Sequence, residues 1–312
     1  MIDKPLISVV SPVYRAEGIV AELVSRTKKA LSEITEEYEI LLVNDGSPDN
    51  SWEEIRAEAN LDQRVKGINL SRNFGQHQAL LCALQLSKGD YVVAMDCDLQ
   101  DNPEFIPELF LEIQKGFDLV YTSKKRIGHS RNKNVFAFLF NKVFNYLIDS
   151  PQQASSSDVG TYSILSRKVV DAFCQVNDYE RHYLMTLRWL GFDSSTITIS
   201  HNKRKTGRSS YTFGKLLLHA INGITYQSDK LLRLNITVGF IIATVAFLAG
   251  LIIIILYFTQ GFLSGWTSMI VTLFFMLGVL LISVGILGIY IGKIFDQVKD
   301  RPKFIIKEIT NQ

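Results

Sequence analysis

Tyr91-Val-Val-Ala-Met-Asp-Cys-Asp-Leu-Gln-Asp101 joins five apolar residues to three carboxylates within six positions. A short apolar run of this kind reads as a strand covered on both faces, and the polar residues that follow lie where open sheets bind ligands. Similar strand-like runs cover residues 6–13, 39–43, 65–70 and 119–121. Segments with helical patterning, such as 18–31, 76–86 and 103–115, lie between them. The alternation predicts an α/β domain with a mostly parallel sheet. Ser51-Trp-Glu-Glu54 has the spacing of a capping box, and Pro103 after Asn102 suits a first-turn proline.

Three polar clusters follow strand-like runs: Val9-Val-Ser-Pro-Val-Tyr14, Val43-Asn-Asp-Gly-Ser47 and Met95-Asp-Cys-Asp-Leu-Gln-Asp101. No G-x-G-x-x-G and no G-x-x-x-x-G-K-[ST] is present, which argues against a dinucleotide oxidoreductase and a P-loop NTPase. Asp96-Cys-Asp98 alone is a common triplet; its position after an oily strand gives it weight. Carboxylates there can supply oxygen ligands to a hard divalent cation, with Gln100 as a further oxygen and sites left for a diphosphate. Asp45, followed by glycine, can accept hydrogen bonds from a nucleobase or ribose.

The chain has 312 residues, with 33 basic against 31 acidic side chains. A net charge of +2 gives no broad electrostatic case for nucleic acid as a partner. Hydrophobic residues make up 47% and mean hydropathy is +0.13, and the excess has one source. Residues 234–292 contain no Asp, Glu, Lys or Arg. Two spans fit, 234–258 and 266–291, each long enough for a hydrocarbon core of about 30 Å. Lys230 and Arg233 precede them, and Lys293, Lys299, Arg301 and Lys303 follow, so both ends are expected on the cytosolic side. Residues 213–228 read as an amphipathic helix lying on the bilayer or on its own domain. The start lacks a signal-peptide build, and Cys82, Cys97 and Cys174 read as reduced packing residues. The expected organisation is a cytosolic domain (1–211), an interfacial linker (212–233), a transmembrane hairpin (234–292) and a cytosolic tail (293–312).

Together with Leu70-Ser-Arg-Asn-Phe-Gly75, Asp96-Cys-Asp-Leu-Gln-Asp-Asn-Pro-Glu104 and the two spans, these motifs resemble the polyprenyl-phosphate glycosyltransferases of glycosyltransferase family 2. That group includes bactoprenol glucosyltransferases and dolichol-phosphate mannose synthases. The resemblance covers most of the chain. It implies a GT-A fold, a nucleotide-sugar donor, Mg²⁺ or Mn²⁺, and inverting transfer of one sugar to a lipid phosphate at the cytosolic face of the inner membrane. Glucose from UDP-glucose and undecaprenyl phosphate are the reactants expected. By position, Pro12, Tyr14, Asp45, Arg72, Asn73 and Asp96 would meet the donor, and Asp98 and Gln100 the metal. Lys124, Arg126, Arg131 and Arg204 would face the acceptor phosphate, and a homo-oligomer through the membrane helices is expected.

The match departs near residue 160, where relatives read G-D-F-R-L and this chain reads Gly160-Thr-Tyr-Ser-Ile164. The aspartate proposed as catalytic base in that family falls on Thr161 and the arginine on Ser163; Asp158 is the candidate substitute, beside Asp96 and Asp98. A phosphate monoester has its second pKa at about 6, so a strong base is optional. Two other readings stay open: transfer to a different lipid-linked acceptor, and a non-catalytic nucleotide-binding membrane scaffold.

Overall fold

Strands form where β-branched and apolar side chains bury both faces, and seven consecutive buried residues in β1 (Ile7–Val13) and in β2 (Tyr38–Asn44) meet that condition. The computed structural model describes residues 5–124, 159–178, 182–199, 230–260 and 265–311. Between and after those strands come α1 (Val20–Ser32), α2 (Ser51–Leu61), β3 (Val65–Leu70), α3 (Gln76–Leu86) and β4 (Tyr91–Ala94). A 3-10 turn (Pro103–Phe105) leads into α4 (Ile106–Ile113) and β5 (Leu119–Lys124). Then follow β6 (Val159–Ser166), α5 (Arg167–Gln175), α6 (Tyr183–Leu190) and β7 (Ser194–Ile199).

The eight-stranded sheet has the order β7-β5-β6-β4-β1-β2-β3-β8, where β8 is Ile306–Ile309. Pairing is parallel except that β6 runs against β4 and β5, and β8 against β3. The mostly parallel α/β sheet expected from the sequence is present. Alternate residues of each central strand feed opposite cores. Val9, Ile40, Leu42 and Val93 pack with α1 and α4, while Val10, Leu41, Val43 and Val92 pack with α3, α5 and α6. Each such fully buried side chain contributes about 1.5–3 kcal/mol from apolar burial.

Two details differ from the sequence reading. The capping box does not close: Ser51 Oγ donates to Asp49, and Glu54 Oε1 accepts from the Gly18 amide, because both side chains are drawn across to the loop after β1. Pro103 does stand in a first turn. The segment 293–312 is not a separate tail. Its first part continues a helix to Val298, and Ile306–Ile309 pair with β3, where an apolar strand edge would otherwise stay open.

The other unit, residues 132–154 and 210–300, contains α7 (Lys230–Gln260) and α8 (Trp266–Val298). Both are longer than the spans read from sequence, because charged flanks extend the helices past the apolar stretches. They are long and apolar enough to cross a membrane, and their most apolar windows hold no buried residue, unlike core helices of a soluble protein. Thr237, Thr244 and Thr259 donate their hydroxyls to carbonyls four residues back, and Ser283 Oγ donates to Asn235 Oδ1 at 2.9 Å. These bonds leave no hydroxyl of those four residues seeking water. The amphipathic segment 213–228 lies outside the described residues.

Candidate functional site

The chain runs from β1 through β2 to β3 in one direction, then returns to place β4 on the other side of β1. Such a reversal opens a crevice at the carboxyl ends of the strands. A cavity of about 360 Å³ lies there, lined by Pro12, Tyr14, Asp45, Asn73, Asp96 and Asp98 among others. Five of the six expected donor-side residues are thereby brought together. Arg72 is not on the wall: it is exposed, with its guanidinium 4.2 Å from the Phe74 ring centroid and donating to Asn73 O.

Asp45 has a structural task that its motif does not announce. Its Oδ1 accepts the Phe74 amide at 2.7 Å and its Oδ2 the Gly75 amide at 2.9 Å. Burial raises its pKa above the usual carboxylate value, against the two amides and the Arg72 charge. Next to it, Gly46 has φ +62°, and a Cβ there would stand 2.6 Å from Arg72 C and Asn73 N. Gly75, at φ +103°, starts α3. The loop 71–75 is therefore held against the β2 loop by two hydrogen bonds from its amides, so closely that Gly46 has no room for a side chain.

Asp96 Oδ1 accepts from Gln76 Nε2 at 2.7 Å. Asp98 Oδ1 accepts the Gln100 amide at 3.1 Å, and its Oδ2 takes no hydrogen bond from the described residues. Gln100 is not among the cavity-lining residues, though its place two positions on keeps it beside Asp98. Leu99 sits at φ +56° and is buried, so core packing holds the kink between Asp98 and Gln100 in a conformation that L-residues disfavour. Among the described residues no three His, Cys, Asp or Glu converge as a closed metal cage. The donors present, two carboxylates and a carboxamide two residues apart in sequence, suit a hard cation that takes its remaining oxygens from diphosphate and water.

The loop carrying Tyr14 is held in a way sequence reasoning missed. The consecutive amides of Arg15, Ala16, Glu17 and Gly18 donate to Ser47 Oγ, Ser51 Oγ, Asp49 Oδ2 and Glu54 Oε1 at 3.0, 2.9, 3.3 and 2.7 Å. Burial opposes the Asp49 charge, but hydrogen bonds from Ser51 and Glu17 outweigh it and keep its pKa below normal. The spacing of these side chains after Asp45-Gly46 was the available signal. Gln76, too, was missed, although it follows the glycine that ends a site motif.

Thr161 lies in β6, two residues before Ser163, which faces Ala94 of β4 in the antiparallel register. Ser163 is buried, donates to Thr161 O and shares a 2.9 Å hydrogen bond with Tyr183 OH. Asp158, Arg126, Arg131, Arg204 and the Lys124 side chain lie outside the described residues.

His77, in the first turn of α3, packs its ring 4.7 Å from that of His182. Burial, and then the neighbouring imidazole, lower its pKa to about 4. The unfolded chain, with histidine near 6.5, therefore binds this proton more readily than the folded one. The stability held above pH ~6.5 is lost as pH falls through about 4, on the order of 3 kcal/mol in all. Unfolding midpoints measured from pH 7.5 to 4.5 should fall less steeply in a His77→Leu variant than in the native chain; parallel curves would contradict this.

Comparison with known proteins adds to the geometry. The family described as "Glycosyl transferase family 2" matches residues 8–173. An uncharacterized glycosyltransferase, YkcC of Bacillus subtilis (strain 168), is 34% identical over 96% of this chain and 93% of its own. The undecaprenyl-phosphate 4-deoxy-4-formamido-L-arabinose transferase of Proteus mirabilis (strain HI4320) is 32% identical over 97% of this chain and 94% of its own. Glucosyl-3-phosphoglycerate synthase from Mycobacterium tuberculosis, solved with Mn²⁺, UDP and phosphoglyceric acid, is 19% identical at a TM-score of 0.49 over 71% of this chain and 76% of that one. With a family match across more than half the sequence and relatives alike along nearly all of it, the chain belongs to glycosyl transferase family 2.

Proposed function

We propose that the chain transfers one hexose, glucose from UDP-glucose, to undecaprenyl phosphate at the cytosolic face of the inner membrane, with inversion at the sugar carbon. The observation that carries this reading is the cavity at the reversal of strand order, with Asp45, Asp96 and Asp98 on its wall, in a chain that also has two apolar helices. Relatives named for an undecaprenyl-phosphate acceptor support the acceptor class.

Pro12 and Tyr14 border the nucleobase, Asp45 and Asn73 orient the nucleoside side, and Asp96 faces the ribose or sugar. Asp98, with the Gln100 carboxamide, would hold Mg²⁺ or Mn²⁺, whose charge offsets that building on the departing diphosphate. The nucleophile is a phosphate oxygen already ionised near neutral pH, which makes the absence of a carboxylate at Thr161 tolerable. The harder task is to bring two anions together. Lys124, Arg126, Arg131 and Arg204 meet it by holding the lipid phosphate, and Asp158 orients or accepts a proton.

Connectivity supports the membrane topology independently of charge bias. A chain that leaves the sheet after β7 and returns to it as β8 crosses any bilayer an even number of times in between. The two apolar helices then form a hairpin with both ends on the side of the sheet, and 212–233 serves as an interfacial linker. A second donor is favoured by the relatives named for 4-deoxy-4-formamido-L-arabinose.

The test is transfer of radiolabel into the organic phase by membranes holding the full chain, given undecaprenyl phosphate, MnCl₂ and one donor at a time. UDP-glucose should give a labelled lipid that EDTA prevents. Label from UDP-4-deoxy-4-formamido-L-arabinose alone would replace the donor assignment, and no labelled lipid from either would remove the acceptor assignment.

A further inference from the structure

The segment after the last apolar helix does more than close the sheet. Lys303 Nζ donates to Asn177 Oδ1, and Ile305 O accepts the amide of Ser71 at 2.9 Å. Strand β8 then pairs Ile306 with Leu70, Glu308 with Asn69 and Ile309 with Ile68. A register shift lies between Asn69 and Leu70, just before the loop 71–75. Beyond it, the Thr310 amide donates to Gly67 O at 2.9 Å, and its hydroxyl accepts the Gly67 amide at 2.8 Å. Finally, Asn311 Nδ2 donates to Ala59 O at 2.5 Å and Val65 O at 2.9 Å, which fastens the chain end to the close of α2 and the start of β3.

A sheet edge can be capped by any strand, and such a cap need not touch a site. Here the cap reaches one. Ser71 opens the loop whose Asn73 and Gly75 line the cavity and whose Phe74 and Gly75 amides are held by Asp45. Phe304, Ile306 and Ile309 pack against the same core as Phe74. The loop is thus fixed at both ends: Asp45 grips its exit, and the C-terminal segment grips its entry.

We infer that residues 303–311 are a positioning element for nucleotide-sugar binding, with Thr310 and Asn311 setting the register that aligns Ser71 and the cavity loop. This rests on the donor reading above, and it adds a determinant that lies outside the cavity and after the apolar helices in sequence. Its signature is a weaker grip on the donor with little change in turnover, since the reacting atoms are untouched.

The experiment uses the full chain in detergent. Thr310→Val removes the hydroxyl while keeping the side chain's size, Thr310→Ser restores it, and Asn311→Ala is combined with Thr310→Val. The double variant should raise KM for UDP-glucose about tenfold with kcat within about twofold and KM for lipid phosphate unchanged. Thr310→Ser should behave as the native chain. Hydrogen exchange at the 71–75 amides should quicken in Thr310→Val, which keeps the proposal testable if the double variant fails to accumulate. Unaltered exchange at 71–75, or an unaltered donor KM despite a lower melting temperature, would reduce the segment to an edge cap and overturn the inference. Calorimetry with UDP and MnCl₂ separates the two readings. No binding by the native chain removes the donor reading, whereas the exchange experiment still judges the segment.

Discussion

Asp98→Ala should lower sugar transfer by at least about a thousandfold, while the chain still folds and reaches the membrane fraction. The size follows from the role proposed for the residue: a metal ligand lost beside a leaving diphosphate would forfeit roughly 4 kcal/mol of transition-state stabilisation, a factor of about 10³. The survival of the fold follows from the surroundings. Asp98 is only partly buried, and among the described residues its one hydrogen bond comes from the amide of Gln100, itself only partly buried, so truncation strands no fully buried group. Asp158→Ala lowers the rate by less, under about a hundredfold, because the attacking phosphate is already ionised without a base. Labelled-lipid formation by the two variants, normalised to protein in the membrane fraction, gives the ranking. Asp158→Ala as the more damaging change would mean that proton transfer, and not charge on the leaving group, limits the reaction.

What the sequence made legible was whatever has a period or a local chemical contrast. The central strands were readable because apolar runs end sharply in Asp or Asn, and the spans because so long a stretch carries no charge. Asp45, Asp96 and Asp98 were readable for the same reason, each standing just past a buried run. The short β8 was not. Its Ile306-Lys-Glu-Ile309 carries two charges in four residues, as an edge strand does, and its partner lies more than two hundred residues earlier in the chain. The task of Asp45 was hidden likewise, because its partners are backbone amides of the 71–75 loop and leave no trace in residue type. Ser51 and Glu54 misled for a related reason. A capping box and a bracket across two loops use the same residues, and only the arrival of the 15–18 amides settles which forms.

Gly46→Ala should harm the site as severely as its neighbours allow, because a new methyl group would meet main chain on its far side. The added Cβ would stand 2.6 Å from both Arg72 C and Asn73 N, and backbone cannot rotate away as a flexible side chain can. Relief requires the 71–75 loop to withdraw, which lengthens the bonds from the Phe74 and Gly75 amides to Asp45. A buried carboxylate whose pKa burial already raises would then lose the groups that keep it charged. Each broken bond leaves unpaired groups worth about 1–3 kcal/mol, and a displacement near 1 Å at a binding loop can lower kcat/KM by about a hundredfold. Gly18→Ala separates this steric effect from the cost of the backbone angle. Gly18 also has positive φ, +77°, yet a Cβ there meets nothing within 4 Å, so that variant should lose only about 1 kcal/mol and keep its donor KM. Melting temperature and donor KM for the pair, measured side by side, distinguish the causes. Equal behaviour would mean that the left-handed turn alone matters and that the contact between the β2 loop and the 71–75 loop does not shape the cavity.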